Sequence, residues 1–306
     1  MTKNIPNCVA MVRPKNFAFN TETAESNAFQ NKLEGFTANQ IQDLALLEFN
    51  NMVNLLKSNG IKVLVFNDTA SDTPDSIFPN NWFSTFTDEV ILYPMYSENR
   101  RRERKPQIYK KLSNDLRKTL NDKLLKQEKK GVILEGTGSL VCDYESKTAF
   151  AALSTRTTPE ALDKFEELTG YSTVRFESFG PDDTLIYHTN VMMTMADSYV
   201  ILAVDTIKED HKNQVLDTLK KLNKEVIAIS NDQAFKHFAG NMLQLQNTKG
   251  QKFLVMSKEA LDSLTSEQKD IIENKHNNKI IAAPIHTIEK IGGGSARCMM
   301  AEIFYN

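Results

Sequence analysis

The sequence predicts an α/β protein in which five strand–strand–helix–strand units form a ring. Three observations lead to this prediction: five similar strand starts recur along the 306 residues, a second apolar run follows four of them, and a helical pattern follows that run. Recurrence at a spacing of this size is typical of propellers and repeat arrays. Hydrophobic residues make up 41% of the chain and charged residues 25%, as in ordinary globular proteins.

The five starts share a polar or small residue followed by an apolar run. They are NWFSTF from Asn81, SLVCDY from Ser139, NVMMTM from Asn190, NMLQLQ from Asn241 and RCMMAEIF from Arg297. Neighbouring starts lie about 51 to 58 residues apart. We therefore take each start as the first strand of one unit.

A second β-rich run follows the first four starts after a short polar gap. These runs are EVILYPM, TAFAALS, SYVILAV and KFLVMS. Runs rich in Val, Ile and Phe favour strands, and the short gaps between paired runs favour hairpin turns. Each unit is therefore expected to begin with an antiparallel hairpin.

Helical periodicity comes next, over 105–129, 159–168, 208–222 and 257–274. A short apolar strand then stands ahead of each start: KVLVF, GVILE, STVRF, EVIAI and KIIAA. The fifth unit lacks a second strand of its own, and the N-terminal strand CVAMVRP lacks a partner. If that strand completes the fifth unit, the ring closes and no sheet edge stays open there.

The chain is therefore expected to form one domain over residues 1–306. The alternative is an ordinary doubly wound sheet with chance spacing. Such a sheet needs parallel crossovers between its strands, and the recurring hairpin fits it poorly.

Charge and composition limit the partners. The formal net charge is −2, which gives no overall attraction to nucleic acid or to a membrane surface. The N-terminus does not resemble a secretory signal, and no apolar run approaches the roughly 18 residues of a membrane span. Three widely separated cysteines favour a reducing compartment, so we expect a cytoplasmic protein. The sequence contains no metal-ligand spacing, so no metal or other cofactor is expected, and a homo-oligomer is compatible with the sequence.

Residues at or just before the starts would meet at the axis of a ring. They are Asn81, Glu135, His188, Asn190 and Cys298. A thiol, an imidazole and a carboxylate suit nucleophilic catalysis, in which the cysteine attacks, the histidine moves protons and the carboxylate orients or takes part in transfer. We expect the three groups to take part in catalysis. The alternative for each side chain is a purely structural role in the core.

Cys298 differs from the other two cysteines in what precedes it. Cys8 and Cys142 lie inside apolar runs, where a cysteine usually acts as a small buried hydrophobe. Before Cys298 stands GGGSAR, whose glycines permit close backbone approach to a ligand. Arg297 brings positive charge, but neighbouring side chains on a strand point to opposite faces, so its help to the thiol could be indirect.

Four motifs occur in an order that resembles the guanidino-group modifying superfamily. They are FPNNWFSTF, LEGTGSL, YHTNVMM and GGGSARCMMAEIF. That superfamily contains arginine deiminases, amidinotransferases and succinylarginine dihydrolases. The chain is most similar to the citrulline hydrolase branch, which also has a stretch like RPKNFAFNTETAESNAFQ near its start. The resemblance spans nearly the whole chain and implies a five-bladed β/α propeller, the pentein fold, with pseudo-fivefold symmetry.

The resemblance also implies roles for the residues at the motif positions. Cys298 stands where the superfamily has its nucleophile, and it would attack the trigonal carbon of a guanidino or ureido group. His188 would protonate the leaving ammonia and then activate water. Glu135 would contact the planar nitrogens and orient the group.

The chain departs from the deiminases at two positions, where Asn81 and Asn190 replace aspartates. Two carboxylates suit a guanidinium cation, whereas two amides supply donors and acceptors without charge. The exchange favours a neutral ureido substrate, with citrulline as the first choice, or an arginine derivative that passes through a ureido intermediate. The dihydrolases of the superfamily also have an asparagine like Asn81, so they are not excluded. Because a ureido substrate brings no charge, we expect Cys298 and His188 to form an ion pair, or His188 to take the thiol proton during attack.

The amino-acid end of a small-molecule substrate also needs a partner, and arginine is the natural one for a carboxylate. Arg100, in SENRRRERK, and Arg13, in MVRPKNF, are the candidates. The polar stretch 16–27 could be a lid that excludes water or a plain surface connection. Trp82 is expected in the core, and His237 is the second choice for the acid/base.

Several other functions stay open from the sequence. Within the superfamily these are arginine deiminase, dihydrolase of a modified arginine, and amidinotransferase. A ribosome-binding translation factor of the same ring shape would be non-enzymatic and would lack the complete Glu, His and Cys set. A papain-like protease would place its cysteine early, at a helix N-terminus.

Overall fold

The structure is a computed structural model that describes residues 5–24, 27 and 29–305. In this part of the chain it contains fifteen short strands and ten α-helices. The strands are β1 (Cys8–Arg13), β2 (Lys62–Asn67), β3 (Phe83–Ser84), β4 (Glu89–Leu92), β5 (Thr119–Asn121), β6 (Val141–Asp143), β7 (Thr148–Ala152), β8 (Ser172–Phe176), β9 (Met193–Met195), β10 (Tyr199–Leu202), β11 (Glu225–Ala228), β12 (Leu243–Gln246), β13 (Lys252–Ser257), β14 (Asn278–Ala283) and β15 (Ala301–Ile303).

The helices lie mostly between the second and third strands of the predicted units. They are α1 (Ala38–Ser58), α2 (Glu98–Arg101), α3 (Pro106–Leu116), α4 (Gly136–Ser139), α5 (Pro159–Thr169), α6 (Glu209–Lys221), α7 (Asn231–His237), α8 (Lys258–Ser263), α9 (Ser266–Asp270) and α10 (His286–Gly292). Short 3-10 helices cover Pro79–Asn81, Lys123–Lys130, Pro181–Asp183, Thr189–Val191 and Val204–Thr206, and a π-helical turn covers Ile271–Lys275. Among the helices described, none is long and apolar enough to cross a membrane.

The strands form five three-stranded sheets with one common pattern. In each sheet the first strand pairs antiparallel with the middle strand, and the middle strand pairs parallel with the third. We call the first strands, β3, β6, β9, β12 and β15, the leading strands. Leading strands of different sheets contact each other at β3 with β15, β6 with β9, and β9 with β12. The predicted α/β class and the recurring hairpin are therefore confirmed.

The two chain ends meet in the fifth sheet, whose order is β15-β1-β2. Val9 of β1 lies opposite Glu302 of β15 in antiparallel pairing, while β1 pairs parallel with β2 along its whole length. The prediction that the N-terminal strand completes the fifth unit is confirmed. Closing this sheet gives β15 a paired edge beside the turn that carries Cys298.

The third strand of the first unit was predicted wrongly. We expected it at GVILE, but β5 (Thr119–Asn121) takes that place beside β4. The helix expected over 105–129 is interrupted because Arg117 adopts a left-handed conformation, with φ of 54°, and ends α3. Leu134 of GVILE makes only an isolated bridge, to Thr157.

The longest helix, α1, supports the region that leads to Cys298. Its buried residues recur at spacings of three and four, so they form one apolar face: Ala45, Phe49, Met52, Val53 and Leu56. A capping box of Thr37 and Gln40 fixes its start. Helix α1 packs on α10, and the Glu48 carboxylate accepts the N–H groups of Thr287 and Ile288 at 2.9 and 3.0 Å. These contacts anchor the first turn of α10.

Candidate active site

A tight turn stands before each leading strand and carries the residues singled out from the sequence. Asn81 ends the 3-10 turn before β3, Ser139 ends α4 before β6, and Asn190 lies in the 3-10 turn before β9. Asn241 and Cys298 precede β12 and β15 by two and three residues. The predicted strand starts are therefore turn residues, because the local chain folds back just before it enters each sheet.

The turns before β3, β9 and β15 border a cavity of about 290 Å³. Its lining contains Asn27, Asp75, Phe78, Asn81, Arg100, Arg156, Tyr187, His188, residues 292–294 and Cys298. Two predicted catalytic residues, His188 and Cys298, therefore line one cavity. They lie 110 positions apart in the sequence, so only the fold brings them together.

A second, larger cavity of about 480 Å³ is lined by the leading strands beyond these turns. Arg297 and Glu302 line it, and they form an ion pair at 2.6 Å. Asp143 also lines it and is paired with Lys224 at 3.2 Å. We place the active site in the smaller cavity because that cavity holds the thiol and the imidazole. Arg297 therefore points away from Cys298, and its expected help to the thiol is indirect at most.

Cys298 does not lie on a strand, contrary to our expectation. It occupies a turn over 296–299, where its N–H donates to Ser295 O at 3.0 Å and the N–H of Met300 donates to Arg297 O at 3.2 Å. The Arg297 N–H donates to Asn241 Oδ1 at 3.0 Å instead of to a strand neighbour. This side-chain contact replaces sheet pairing and allows the thiol to turn toward the cavity.

Amide groups surround the sulfur of Cys298. Asn241 Nδ2 lies 3.3 Å from Sγ, and Asn190 Nδ2 lies 3.6 Å from it. The side chain of Asn241 is 2% exposed and that of Asn190 is 1% exposed, so water does not compete for these contacts. The sulfur therefore accepts two N–H groups in a buried site.

His188 and Glu135 form a buried pair, with 2.7 Å between His188 Nε2 and Glu135 Oε2. The second oxygen of Glu135 accepts the N–H of Tyr96 at 2.9 Å, and Arg156 Nη1 lies 3.6 Å from Oε2. Burial alone would raise the pKa of Glu135, but the Arg156 charge and the His188 hydrogen bond lower it to about 2.

Burial keeps His188 neutral at pH 7. Burial lowers the pKa of His188 to about 4, although Glu135 opposes this shift. A neutral imidazole beside a carboxylate donates through Nε2, which leaves Nδ1 as a proton acceptor. Of the two expected ways to activate the thiol, this favours proton transfer to His188 during attack over a preformed ion pair.

Glycines of the EGTG motif permit this arrangement. A Cβ atom on Gly136, which has a φ of 47°, would lie 2.4 Å from Asn80 O. A Cβ atom on Gly138 would lie 2.3 Å from Asn81 Nδ2 and 2.9 Å from Nδ1 and Cε1 of His188. Helix α4 can therefore pack against the turn Pro79–Asn81 and the His188 ring only because both positions lack a side chain.

Arg100 lines the cavity but is already bonded to protein groups. Its guanidinium donates to Asn81 Oδ1 at 2.7 Å, to both Glu103 oxygens at 3.0 and 2.9 Å, and to Phe78 O at 3.1 Å. Because Asn81 Oδ1 accepts from Arg100, the amide nitrogen Nδ2 is its remaining polar atom. Among the described residues, neither Asn81 Nδ2 nor Asn190 Oδ1 has a hydrogen-bond partner.

Sequence reasoning missed three residues of this site. Asp75 and Arg156 line the cavity, and Asn241 contacts the sulfur. Asn241 could have been found, because it begins the fourth unit at the position where Asn81 begins the first. Asp75 and Arg156 lie in connections outside the repeat pattern, so no periodicity marks them.

Asp75 presents one free carboxylate oxygen. Its Oδ2 accepts from Asn20 Nδ2 at 2.7 Å, while Oδ1 is buried and has no partner among the described residues. Burial raises the pKa of Asp75, and the Arg100 charge opposes that shift. A buried acceptor without a partner is costly, so this oxygen is suited to a donor on a bound molecule.

Part of the predicted lid contacts the site. Asn20 also accepts from Asn99 Nδ2 at 2.6 Å, and Asn27 Oδ1 accepts from the Tyr187 hydroxyl at 2.8 Å. Glu25 and Ser26, which belong to the predicted stretch 16–27, lie outside the described residues. That this stretch excludes water stays a prediction.

The remaining candidates lie elsewhere. Arg13 is not among the cavity-lining residues described, and its guanidinium donates to Asn50 Oδ1 and Asn67 Oδ1 at 3.0 to 3.3 Å. A substrate-binding role for Arg13 in this cavity is therefore not supported. Trp82 is 1% exposed and lies in the core, as predicted. His237 lies on α7, 3.9 Å from Glu259, and does not line the cavity.

The three cysteines are free, and Cys8 and Cys142 are buried as expected. Within the described residues, no group of three or more His, Cys, Asp or Glu side chains is arranged to hold a metal ion.

Comparisons with known proteins address the family. The sequence model of the family described as N,N dimethylarginine dimethylhydrolase, eukaryotic, matches residues 13–305. No curated protein is significantly similar to the chain.

Several solved structures share the fold. The N-terminal domain of ArgZ, an arginine dihydrolase of cyanobacteria, bound to substrate, has a TM-score of 0.74 at 16% identity, covering 97% of this chain and 98% of that one. AgrE with ornithine and NAD+ has a TM-score of 0.74 at 16% identity, covering 98% of this chain and 39% of AgrE. DDAH from Pseudomonas aeruginosa with citrulline has a TM-score of 0.68 at 14% identity, covering 98% and 100%. The family match, which spans nearly the whole chain, shows that this protein belongs to the N,N-dimethylarginine dimethylhydrolase family of hydrolases, within the guanidino-group modifying superfamily.

Proposed function

We propose that the protein hydrolyses the ureido group of citrulline, giving ornithine, ammonia and CO2, through a covalent bond to Cys298. The observation that carries this proposal is the polar character of the groups around the thiol. Asn81 and Asn190 offer one open donor and one open acceptor there, and neither carries a charge.

A ureido group matches these two open atoms. Asn81 Nδ2 can donate to the ureido oxygen, and Asn190 Oδ1 can accept a ureido N–H. A guanidinium has no oxygen to accept from Asn81, and its charge is better matched by two carboxylates. Glu135, the carboxylate beside His188, is already bonded to that ring and to Tyr96 N.

The cavity also offers partners for an α-amino acid. Asp75 Oδ1 can accept from the α-ammonium group, and the guanidinium groups of Arg100 and Arg156 can attract the α-carboxylate. Arg156 stacks over the Tyr187 ring at 4.4 Å, which fixes its plane. This assignment keeps Arg100 as a substrate-binding residue and adds Asp75 and Arg156.

The chemistry follows in two halves. In the first, Cys298 Sγ attacks the ureido carbon, its proton passes to His188, and Asn81 Nδ2 stabilises the oxyanion. His188 then protonates the leaving nitrogen, so ammonia departs and a thiocarbamate stays on the sulfur. In the second, His188 takes a proton from water, the water oxygen attacks the same carbon, and the C–S bond breaks. The released carbamate loses CO2 to give ornithine.

The proposal includes a closed five-bladed β/α propeller in one domain over 1–306, with the cavity at its axis. The contacts between leading strands and the pairing of β1 with β15 support closure. The free cysteines fit the cytoplasmic location that we propose. Assembly as a homo-oligomer stays a prediction.

A second candidate is a hydrolase of arginine or of a methylated arginine. Membership of the N,N-dimethylarginine dimethylhydrolase family favours it. The two candidates differ in substrate charge and in product, so one assay separates them.

The assay incubates the purified protein separately with citrulline, arginine, N,N-dimethylarginine and N-succinylarginine, and measures ornithine, citrulline, ammonia and dimethylamine. Ornithine from citrulline supports the proposal, and Cys298→Ser should abolish it. Ammonia from arginine, or dimethylamine from N,N-dimethylarginine, without any turnover of citrulline would overturn it in favour of the second candidate.

A further inference from the structure

We propose that Asn241 is a catalytic residue whose amide, together with that of Asn190, stabilises the anionic sulfur of Cys298 that forms when His188 takes the thiol proton. The catalytic half of this inference rests on the proposed function. The half that concerns the sulfur does not, because thiol reactivity can be measured without any substrate.

The geometry favours Asn241 as the main donor. Its Nδ2 lies 3.3 Å from Sγ, against 3.6 Å for Asn190 Nδ2. An N–H group that donates to an anion forms a charge-assisted hydrogen bond, which is about twice as strong as a neutral one. In a buried site such a contact favours the thiolate over the thiol.

The orientation of the Asn241 amide is fixed by its other contacts. Its Oδ1 accepts the N–H of Arg297 at 3.0 Å, and its Nδ2 also donates to Asn190 O at 3.0 Å. A flipped amide would set a donor against the Arg297 N–H and an acceptor against the Asn190 carbonyl. The sulfur also lies 3.6 Å from Oδ1, so a protonated thiol can donate there. Asn241 therefore offers Nδ2 as a donor to the thiolate and Oδ1 as an acceptor for the thiol. The donor lies nearer to the sulfur than the acceptor.

The described cations around the cavity are engaged with other groups. Arg100 donates to Glu103 and to Asn81 Oδ1, and Arg156 lies 3.6 Å from Glu135. The Arg297 guanidinium donates to Glu302 Oε1 at 2.6 Å and to Met300 O at 2.8 Å, in the second cavity. His188 is neutral at pH 7, and its Nε2 is engaged with Glu135. The two amides are therefore the groups that donate hydrogen bonds directly to the sulfur.

Asn241 also holds the Arg297 backbone, so a purely structural role must be separated from an electrostatic one. Asn241→Asp makes this separation, because the carboxylate keeps an acceptor for the Arg297 N–H but replaces the donor at the sulfur with negative charge. Asn247→Asp is the matched control at the other end of β12. There Oδ1 accepts two N–H groups, from Lys249 and Gln251, and Asn247 is not among the cavity-lining residues described.

The experiment measures the rate of iodoacetamide alkylation of Cys298 against pH, with Cys298→Ser as the background for the buried Cys8 and Cys142. Asn241→Asp should move the midpoint pH of alkylation up by at least about one unit, so that alkylation at pH 7 is roughly tenfold slower. It should also lower kcat for citrulline at least about 100-fold. Asn247→Asp should match wild type, and His188→Ala should leave the midpoint unchanged while abolishing turnover.

Two results would overturn the inference: a wild-type midpoint in folded Asn241→Asp, or a shift in His188→Ala as large as that in Asn241→Asp. If Asn241→Asp does not fold, Asn241→Ser takes its place, because it also lacks the amide donor. A wild-type midpoint pH of alkylation in folded Asn241→Ser would likewise overturn the inference. A shifted midpoint in a protein that turns over no citrulline would reject the proposed function and leave this inference standing.

Discussion

At the scale of single residues, the side-chain amide of Asn81 determines which charge the site accepts. Its oxygen is held by Arg100 at 2.7 Å and its nitrogen is open. Asn81→Asp would keep the contact to Arg100, remove the donor and add a buried charge. We expect kcat/KM for citrulline to fall at least about tenfold, because the oxyanion loses a partner worth roughly 1–3 kcal/mol.

The same variant should retain more of its activity on arginine than on citrulline. The measurement is the ratio of the two kcat/KM values, since general damage to the fold would lower both alike. An unchanged ratio would show that Asn81 does not contact the reacting group.

His188 offers a pH test of the site. Because burial lowers its pKa from the ordinary 6.5 to about 4, the ring should stay neutral down to about pH 4. Between those two values the unfolded chain binds a proton that the folded chain does not, so the free energy of unfolding should decrease as the pH falls. An NMR titration of the histidine ring nitrogens, with His188→Ala to assign the signal, measures the midpoint. A midpoint near 6.5 would contradict the conclusion that burial lowers the pKa of His188.

At the scale of elements, α4 fixes the distance between Asn81 and His188. Gly138→Ala would place a methyl group 2.3 Å from Asn81 Nδ2 and 2.9 Å from the His188 ring, so one of them must move. We expect kcat to fall about 100-fold, since misplacement by about 1 Å is enough for such a loss.

Gly170→Ala provides the control for this change. Gly170 caps the C-terminus of α5, with φ of 70°, and a Cβ atom there meets nothing within 4 Å. It should lower the unfolding temperature and leave kcat unchanged. Equal kcat losses in both variants would mean that α4 does not position the site.

Elements also show where sequence patterns succeed and fail. The paired apolar runs predicted four hairpins because each buried strand needs a Val-, Ile- or Phe-rich partner. The pattern failed in the first unit, where GVILE is as apolar as any strand but β5, with the sequence TLN, pairs with β4. Apolar content alone could not show that the left-handed Arg117 ends α3 early enough for β5 to form.

At the scale of the whole molecule, the repeat predicted which distant residues meet. Cys298 and His188 line one cavity because each stands in the turn before a leading strand, and Glu135 lies behind His188. Asn241 also stands in the turn before a leading strand, so the repeat places it near the sulfur. Nothing in the sequence marks its side-chain amide as a partner for the thiol. Asp75 and Arg156 lie in connections outside the repeat. Their positions beside the cavity depend on tertiary packing, which a single sequence does not show.

The most direct test of a covalent Cys298 mechanism is the mass of the enzyme during turnover. Acid-quenched samples with citrulline should show a protein species heavier by the mass of citrulline less ammonia, located on the peptide that contains Cys298 and absent from Cys298→Ser. Turnover of citrulline with no adduct at any quench time, or with activity retained in Cys298→Ser, would contradict the account.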